Sequence, residues 1–75
     1  MVTLKALRQR AEGLARHRGH SLAWETPWQD GERQCQNAIC WHGKCFAEVQ
    51  IITRPLPNEA DVGGSGVAGP CPCRE

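Results

Sequence analysis

The stretch Cys35-Gln36-Asn37-Ala38-Ile39-Cys40-Trp41-His42-Gly43-Lys44-Cys45 puts three cysteines and a histidine directly ahead of Phe46 to Thr53, a segment rich in Phe, Val, Ile and Thr. Thiols spaced this way before a strand are how a small domain builds a metal knuckle. Tetrahedral zinc takes two of its four N or S donors from one tight turn of the form Cys-x(2–4)-Cys. Cys35 and Cys40, like Cys40 and Cys45, have four residues between them, and His42 and Cys45 have two. Gly43 supplies the backbone freedom that such a turn uses. The other two donors must come from afar, from Cys71 or Cys73 together with His20.

The rest of the composition explains why a metal is needed. A chain of 75 residues buries only about 60% of the surface its unfolded form exposes, so its core alone is marginal. Eight Gly and five Pro add ordering entropy, and there are three Trp, one Phe and no Tyr to offset it. Structural zinc contributes on the order of 10–16 kcal/mol in small finger peptides, against roughly 2–4 kcal/mol for a disulfide. The choice between them follows the compartment. Residues 1–19 hold no continuous apolar stretch and carry five spread cations, which reads as a cytoplasmic chain with reduced thiols. The odd count of five cysteines also leaves one unpaired in any full disulfide scheme. No run is apolar for the length a bilayer span requires.

Working outward from the knuckle, the chain reads as a single domain, 1–75, with a small α+β fold: an N-terminal helix packed on a short antiparallel, zinc-ribbon-like sheet, stabilised by metal. Residues 1–18 form a basic amphipathic helix. Leu4, Leu7, Ala11, Leu14 and Ala15 make its apolar stripe, Lys5, Arg8, Arg10, Arg16 and Arg18 flank it, and Gly19 stops it. Residues 20–53 hold the strands and the knuckle. Alternation in His20 to Glu25 puts His20, Leu22 and Trp24 on one face, Pro27 closes that strand, and Asp30-Gly31 turns the chain back through Glu32 to Ile39. In the strand that follows the knuckle, Ala47, Val49 and Ile51 share a face. Residues 54–75 are a Gly/Pro loop and a cysteine-bearing tail, with at most one short strand near Gly66 to Ala68.

Gly19-His20-x-Leu22-x-Trp24, Cys40 and Cys45 before a strand, Pro55-Leu56-Pro57-Asn58, Gly63-Gly64, Val67-Ala68 and Cys71 together resemble a family of small uncharacterised zinc-ribbon-like proteins of actinobacterial genomes and their phages. The resemblance covers most of residues 10 to 73. It implies His20, Cys45 and Cys71 as ligands. Two residues inward from Cys45, where the family has a cysteine, stands His42, so Cys40 and His42 compete for the remaining position. The expected set is one structural Zn2+ on His20, Cys40, Cys45 and Cys71, with His42, Cys35 and Cys73 as alternates and Cys35 read as a spare buried thiol.

Functional expectations are coarser. An enzyme is the least expected class, because catalytic zinc keeps an open position beside a base in a cleft and a 75-residue ribbon has little room for one. The first expectation is a zinc-stabilised protein-interaction module, such as a phage or mobile-element accessory factor, with another protein as partner. The second is a nucleic-acid binder gripping phosphates through Arg8 and Arg16 and stacking bases on Trp28 or Trp41. In so small a core the tryptophans read first as packing groups. The third is a structural subunit of a virion or larger complex. A net charge of +1 ranks protein above nucleic acid.

Overall fold

The computed structural model describes residues 3–42 and 45–71. Thr3 starts the fold: its backbone is extended and its Oγ1 accepts the Ala6 N–H at 3.1 Å, capping helix α1 (Leu4–His17). The helix ends in a Schellman motif. Gly19 takes the left-handed conformation (φ 85°), its N–H donates to the Arg16 carbonyl at 2.9 Å, and the His20 N–H donates to the Ala15 carbonyl at 2.9 Å. The chain therefore leaves the helix on a fixed course, with His20 as its first residue.

Five antiparallel strands follow: β1 (Leu22–Trp24), β2 (Trp28–Asp30), β3 (Arg33–Cys40), β4 (Glu48–Ile52) and β5 (Val62–Gly63). The order is β1-β3-β4-β5, and β2 pairs with β3 beside β1. β1 lies along Ala38 to Cys40 and β2 along Arg33 to Cys35, so the two are halves of one edge strand broken around Pro27. Proline has no N–H to give a ladder, which explains the break. The sequence pattern closes the strand at Pro27 and assigns no strand to Trp28 to Asp30 ahead of the turn signal Asp30-Gly31. Instead pairing resumes there, and Gly31 (φ 64°) makes the hairpin into β3.

Pleating places Gln36, Ala38 and Cys40 of β3, Val49 and Ile51 of β4, and Leu22 and Trp24 of β1 on the face toward α1. Leu7, Ala11, Ala38, Val49 and Ile51 form the core there, with Leu4, Leu22, Trp24, Val62 and Val67 packed round it. Polar ties fix the helix across the sheet. Trp24 Nε1 donates to Glu12 at 2.7 Å, Arg8 donates to Gln36 Oε1 at 3.3 Å, and the Gln36 amide donates to the Glu25 carbonyl at 2.7 Å. On the other flank Arg10 pairs with Asp61 at 2.5 Å.

The apolar stripe needs one correction: Leu14 is 46% exposed. Ala11 and Ala15 occupy the centre of the buried stripe, and residues that small bring the helix close. Leu14 is left on the flank it shares with Arg10 and His17, one helical turn before and after it.

The glycine-rich segment is also not the strand expected near Gly66 to Ala68. It is a one-turn helix, α2 (Ser65–Ala68), and the short strand lies earlier, as β5. Its glycines are there for close approach, since a Cβ on Gly66 would stand 2.5 Å from Val49 Cγ2. Ser65 Oγ accepts the Glu48 N–H at 3.1 Å and pins the turn to β4.

Denaturant unfolding of the metal-loaded protein should separate the two leucines. Leu7→Ala should cost about 2–5 kcal/mol as a core truncation, and Leu14→Ala within about 0.5 kcal/mol of nothing.

Candidate metal centre

Four side chains that are distant in sequence meet at the C-terminal end of α1. One ligand atom each from His20, Cys40, Cys45 and Cys71 lies within 4.8 Å of all the others, and all four residues are buried. The C-terminus of the helix positions two of them. The Schellman turn delivers His20, and the Arg18 carbonyl, left over at the helix end, accepts the Cys71 N–H at 2.9 Å. The β3–β4 hairpin delivers the other two. Cys40 ends β3 with its N–H bonded to the Ala47 carbonyl at 2.9 Å, and the Cys45 N–H closes a tight turn onto the His42 carbonyl at 2.8 Å. Ala47 packs against the three sulfurs.

The geometry suits a tetrahedral ion. With bonds of about 2.3 Å to sulfur and 2.0 Å to nitrogen, the edges of such a site are about 3.8 Å between sulfurs and 3.5 Å from sulfur to nitrogen. Cys40 Sγ and Cys71 Sγ are 4.0 Å apart, and Cys45 Sγ and His20 Nδ1 are 3.6 Å apart. Sulfurs at 4.0 Å are not bonded, since a disulfide holds them at about 2.05 Å.

The orientation of His20 is fixed from behind. Its Nε2 lies 2.8 Å from the Gly69 carbonyl, which can only accept, so Nε2 carries the proton and Nδ1 turns its lone pair toward the sulfurs. A neutral imidazole with its free nitrogen facing thiols is what a metal ligand requires.

Cys40 is chemically distinct. Burial pushes its thiol up, but hydrogen bonds, led by the one from the His42 backbone, outweigh that and bring it down from 9.0 to about 6. At neutral pH it is a thiolate, the form that binds metal. Because the folded-state value lies below the ordinary one, the thiolate favours the folded state above the ordinary thiol range. That contribution is lost as pH falls through about 6.

The alternates fall in different places. His42 is half-buried beside the set, with Nδ1 3.4 Å from Cys71 Sγ and its ring edge-on to Trp41 at 5.1 Å. Cys35 is buried at the far end of β3, paired with Trp28 and Ile52 on the sheet face away from α1. Cys73, and the turn expected of Gly43, lie outside the described residues.

Among the expected contact residues, Arg8 is held against Gln36 and Arg16 is exposed in the last helical turn. Trp28 and Trp41 are exposed, contrary to the reading of tryptophan as core; only Trp24 packs against it. Trp28 pairs with Cys35 on the sheet face away from α1, and Trp41 lies past the last ladder pair of β3. Two participants were missed, the Gly69 carbonyl and the Arg18 carbonyl, because backbone acceptors leave no mark in residue type.

Comparison with protein-family models, curated proteins and solved structures finds no match to this chain.

Two outcomes follow for the site. Cys45→Ser and Cys71→Ser should abolish tight metal binding, Cys35→Ser should leave it intact, and His42→Ala should keep the stoichiometry while weakening affinity by about tenfold, as loss of an outer hydrogen bond does. Metal content after dialysis reads all four. In a pH series with a competing chromophoric chelator, metal should be retained at neutral pH and released only in acid, below the value of about 6 at which the metal-free Cys40 takes up its proton, because the ion competes with the proton for the thiolate.

Proposed function

We propose that this chain is a structural zinc domain that serves as a protein-interaction module. The observation that carries the metal reading is closure of the site: three thiols and one oriented imidazole supply four donors, all buried, which leaves no open position for a substrate. Tetrahedral sulfur-rich sites select zinc or iron–sulfur chemistry, and one imidazole among three thiolates in a single-ion cage favours zinc. The role is to hold the fold. His20 follows the helix, Cys40 and Cys45 bracket the hairpin, and Cys71 ends the loop that returns over β4, so one ion ties together segments that the five-residue core cluster joins only weakly.

An interaction role is favoured over nucleic-acid binding by how the helix cations are used. Arg10 is paired with Asp61 and Arg8 is turned inward to Gln36, which takes two of the four Lys and Arg residues of α1 out of any phosphate-gripping row.

Native mass spectrometry of protein made without added metal should show one zinc per chain. Chelation at neutral pH should collapse the amide spectrum throughout, including Val49 and Ile51, which belong to the helix–sheet core rather than to the ligand set. Survival of those resonances in the zinc-free protein would mean that the core suffices alone. Duplex and single-stranded oligonucleotides should bind weakly at physiological salt; tight, steeply salt-dependent binding would favour the nucleic-acid reading.

A further inference from the structure

The sheet face away from α1 is arranged in rows across the strands. From the far end these are Trp28–Cys35–Ile52, then Glu25–Asn37–Gln50, then Ala23–Ile39–Glu48. The Cys40 N–H to Ala47 carbonyl bond carries the ladder one step further, and alternation brings Trp41 and Phe46 to the same face. In the first row Cys35 and Ile52 are buried beside the half-exposed Trp28. The knuckle end is open: Ile39 is 42%, Trp41 65% and Phe46 84% exposed. Three large apolar side chains in adjacent rows make a patch rather than scattered surface residues.

The charged groups in these rows share one sign, and the exposed Gln50 adds only a neutral amide. The charged ones are Glu25 and Glu48, both exposed and neither in an ion pair among the described residues. Between them Asn37 Oδ1 is shielded from water without a hydrogen-bond partner, a condition that costs about 1–3 kcal/mol. Carboxylates and an unsatisfied amide oxygen are all acceptors. Lys5 and Arg16 belong to α1, which packs on the opposite face, and Arg18 is its C-cap.

From this charge complementarity we propose that the Ile39–Trp41–Phe46 face docks a polypeptide segment that is both apolar and cationic. Its aliphatic side chains cover the three apolar residues, its Lys or Arg groups meet Glu25 and Glu48, and a donor reaches Asn37 once the amide turns outward. This rests on the interaction-module reading and names its surface and partner chemistry. Phosphates are disfavoured here, because among the described residues they would face two carboxylates and no unpaired cation beside them.

The test uses full-length, metal-loaded protein whose amide spectrum has first been verified. The probes are a short peptide alternating leucine with lysine and arginine, the same peptide with glutamate at every cation, and a single-stranded oligonucleotide. The cationic peptide should bind and shift the amides of Ala23, Ile39, Trp41, Phe46 and Glu48. Trp41→Ala with Phe46→Ala should weaken it by about tenfold or more, and Glu25→Gln and Glu48→Gln by about threefold each, with metal content and fold unchanged.

Equal binding of the glutamate peptide, shifts confined to α1, binding of the oligonucleotide on this face, or self-association through it in sedimentation would each overturn the proposal. So would no binding at all. Because metal loading is measured beforehand, any of these results leaves the structural-zinc reading standing. A glutamate peptide captured by α1 would keep the interaction role while removing this surface.

Discussion

The fold depends on one meeting point: the C-terminal end of α1, where a left-handed glycine and a leftover helix carbonyl bring His20 and Cys71 to the hairpin that bears Cys40 and Cys45. Helix ends ordinarily leave carbonyls for solvent or caps to satisfy. Here the Ala15 and Arg16 carbonyls shape the exit of one ligand, and the Arg18 carbonyl anchors another. The same few hydrogen bonds thus finish the helix and assemble the site, so secondary structure and metal geometry cannot be varied independently.

That coupling gives roles to residues that look incidental. Gly66 has no Cβ because Val49 leaves no space for one, and its contact lets α2 lie flat on β4. α2 in turn carries the chain to Gly69, whose carbonyl sets the tautomer of His20. A side chain added at Gly66 would therefore disturb a ligand through its outer hydrogen bond, by way of a packing contact some distance from any sulfur. The hydrophobic core and the metal cluster adjoin, joined through Ala47 and the strand it precedes.

Much of this was legible in the sequence, for identifiable reasons. The helix, with its stop at Gly19, followed from the Leu/Ala period and a glycine. The strong strand followed from Val49, Ile51 and Ile52, while cysteine spacing and a histidine on an apolar strand face pointed to a metal site and left Cys71 or Cys73, and Cys40 or His42, open, with His20, Cys45 and Cys71 singled out by the family resemblance. What stayed hidden depended on tertiary placement. Leu14 fits the helical period as well as Leu7, yet only the position of the sheet decides which is covered. Pro27 correctly marked a break, but not that pairing with β3 would resume beyond it. The competition between Cys40 and His42 could not be judged from spacing, because it turns on which side chain the hairpin aims inward.

The interrupted edge of the sheet has a consequence for how the protein behaves in a crowded solution. A long, straight outer strand exposes a ladder of unsatisfied amides and carbonyls on which another chain can polymerise. In this sheet one margin is split into two three-residue pieces at Pro27, and the other is the two-residue β5. Neither offers enough consecutive backbone groups to template a foreign strand. Recruitment of another molecule is thereby confined to side chains on the faces, where sequence can discriminate, and kept away from main-chain pairing, where it cannot.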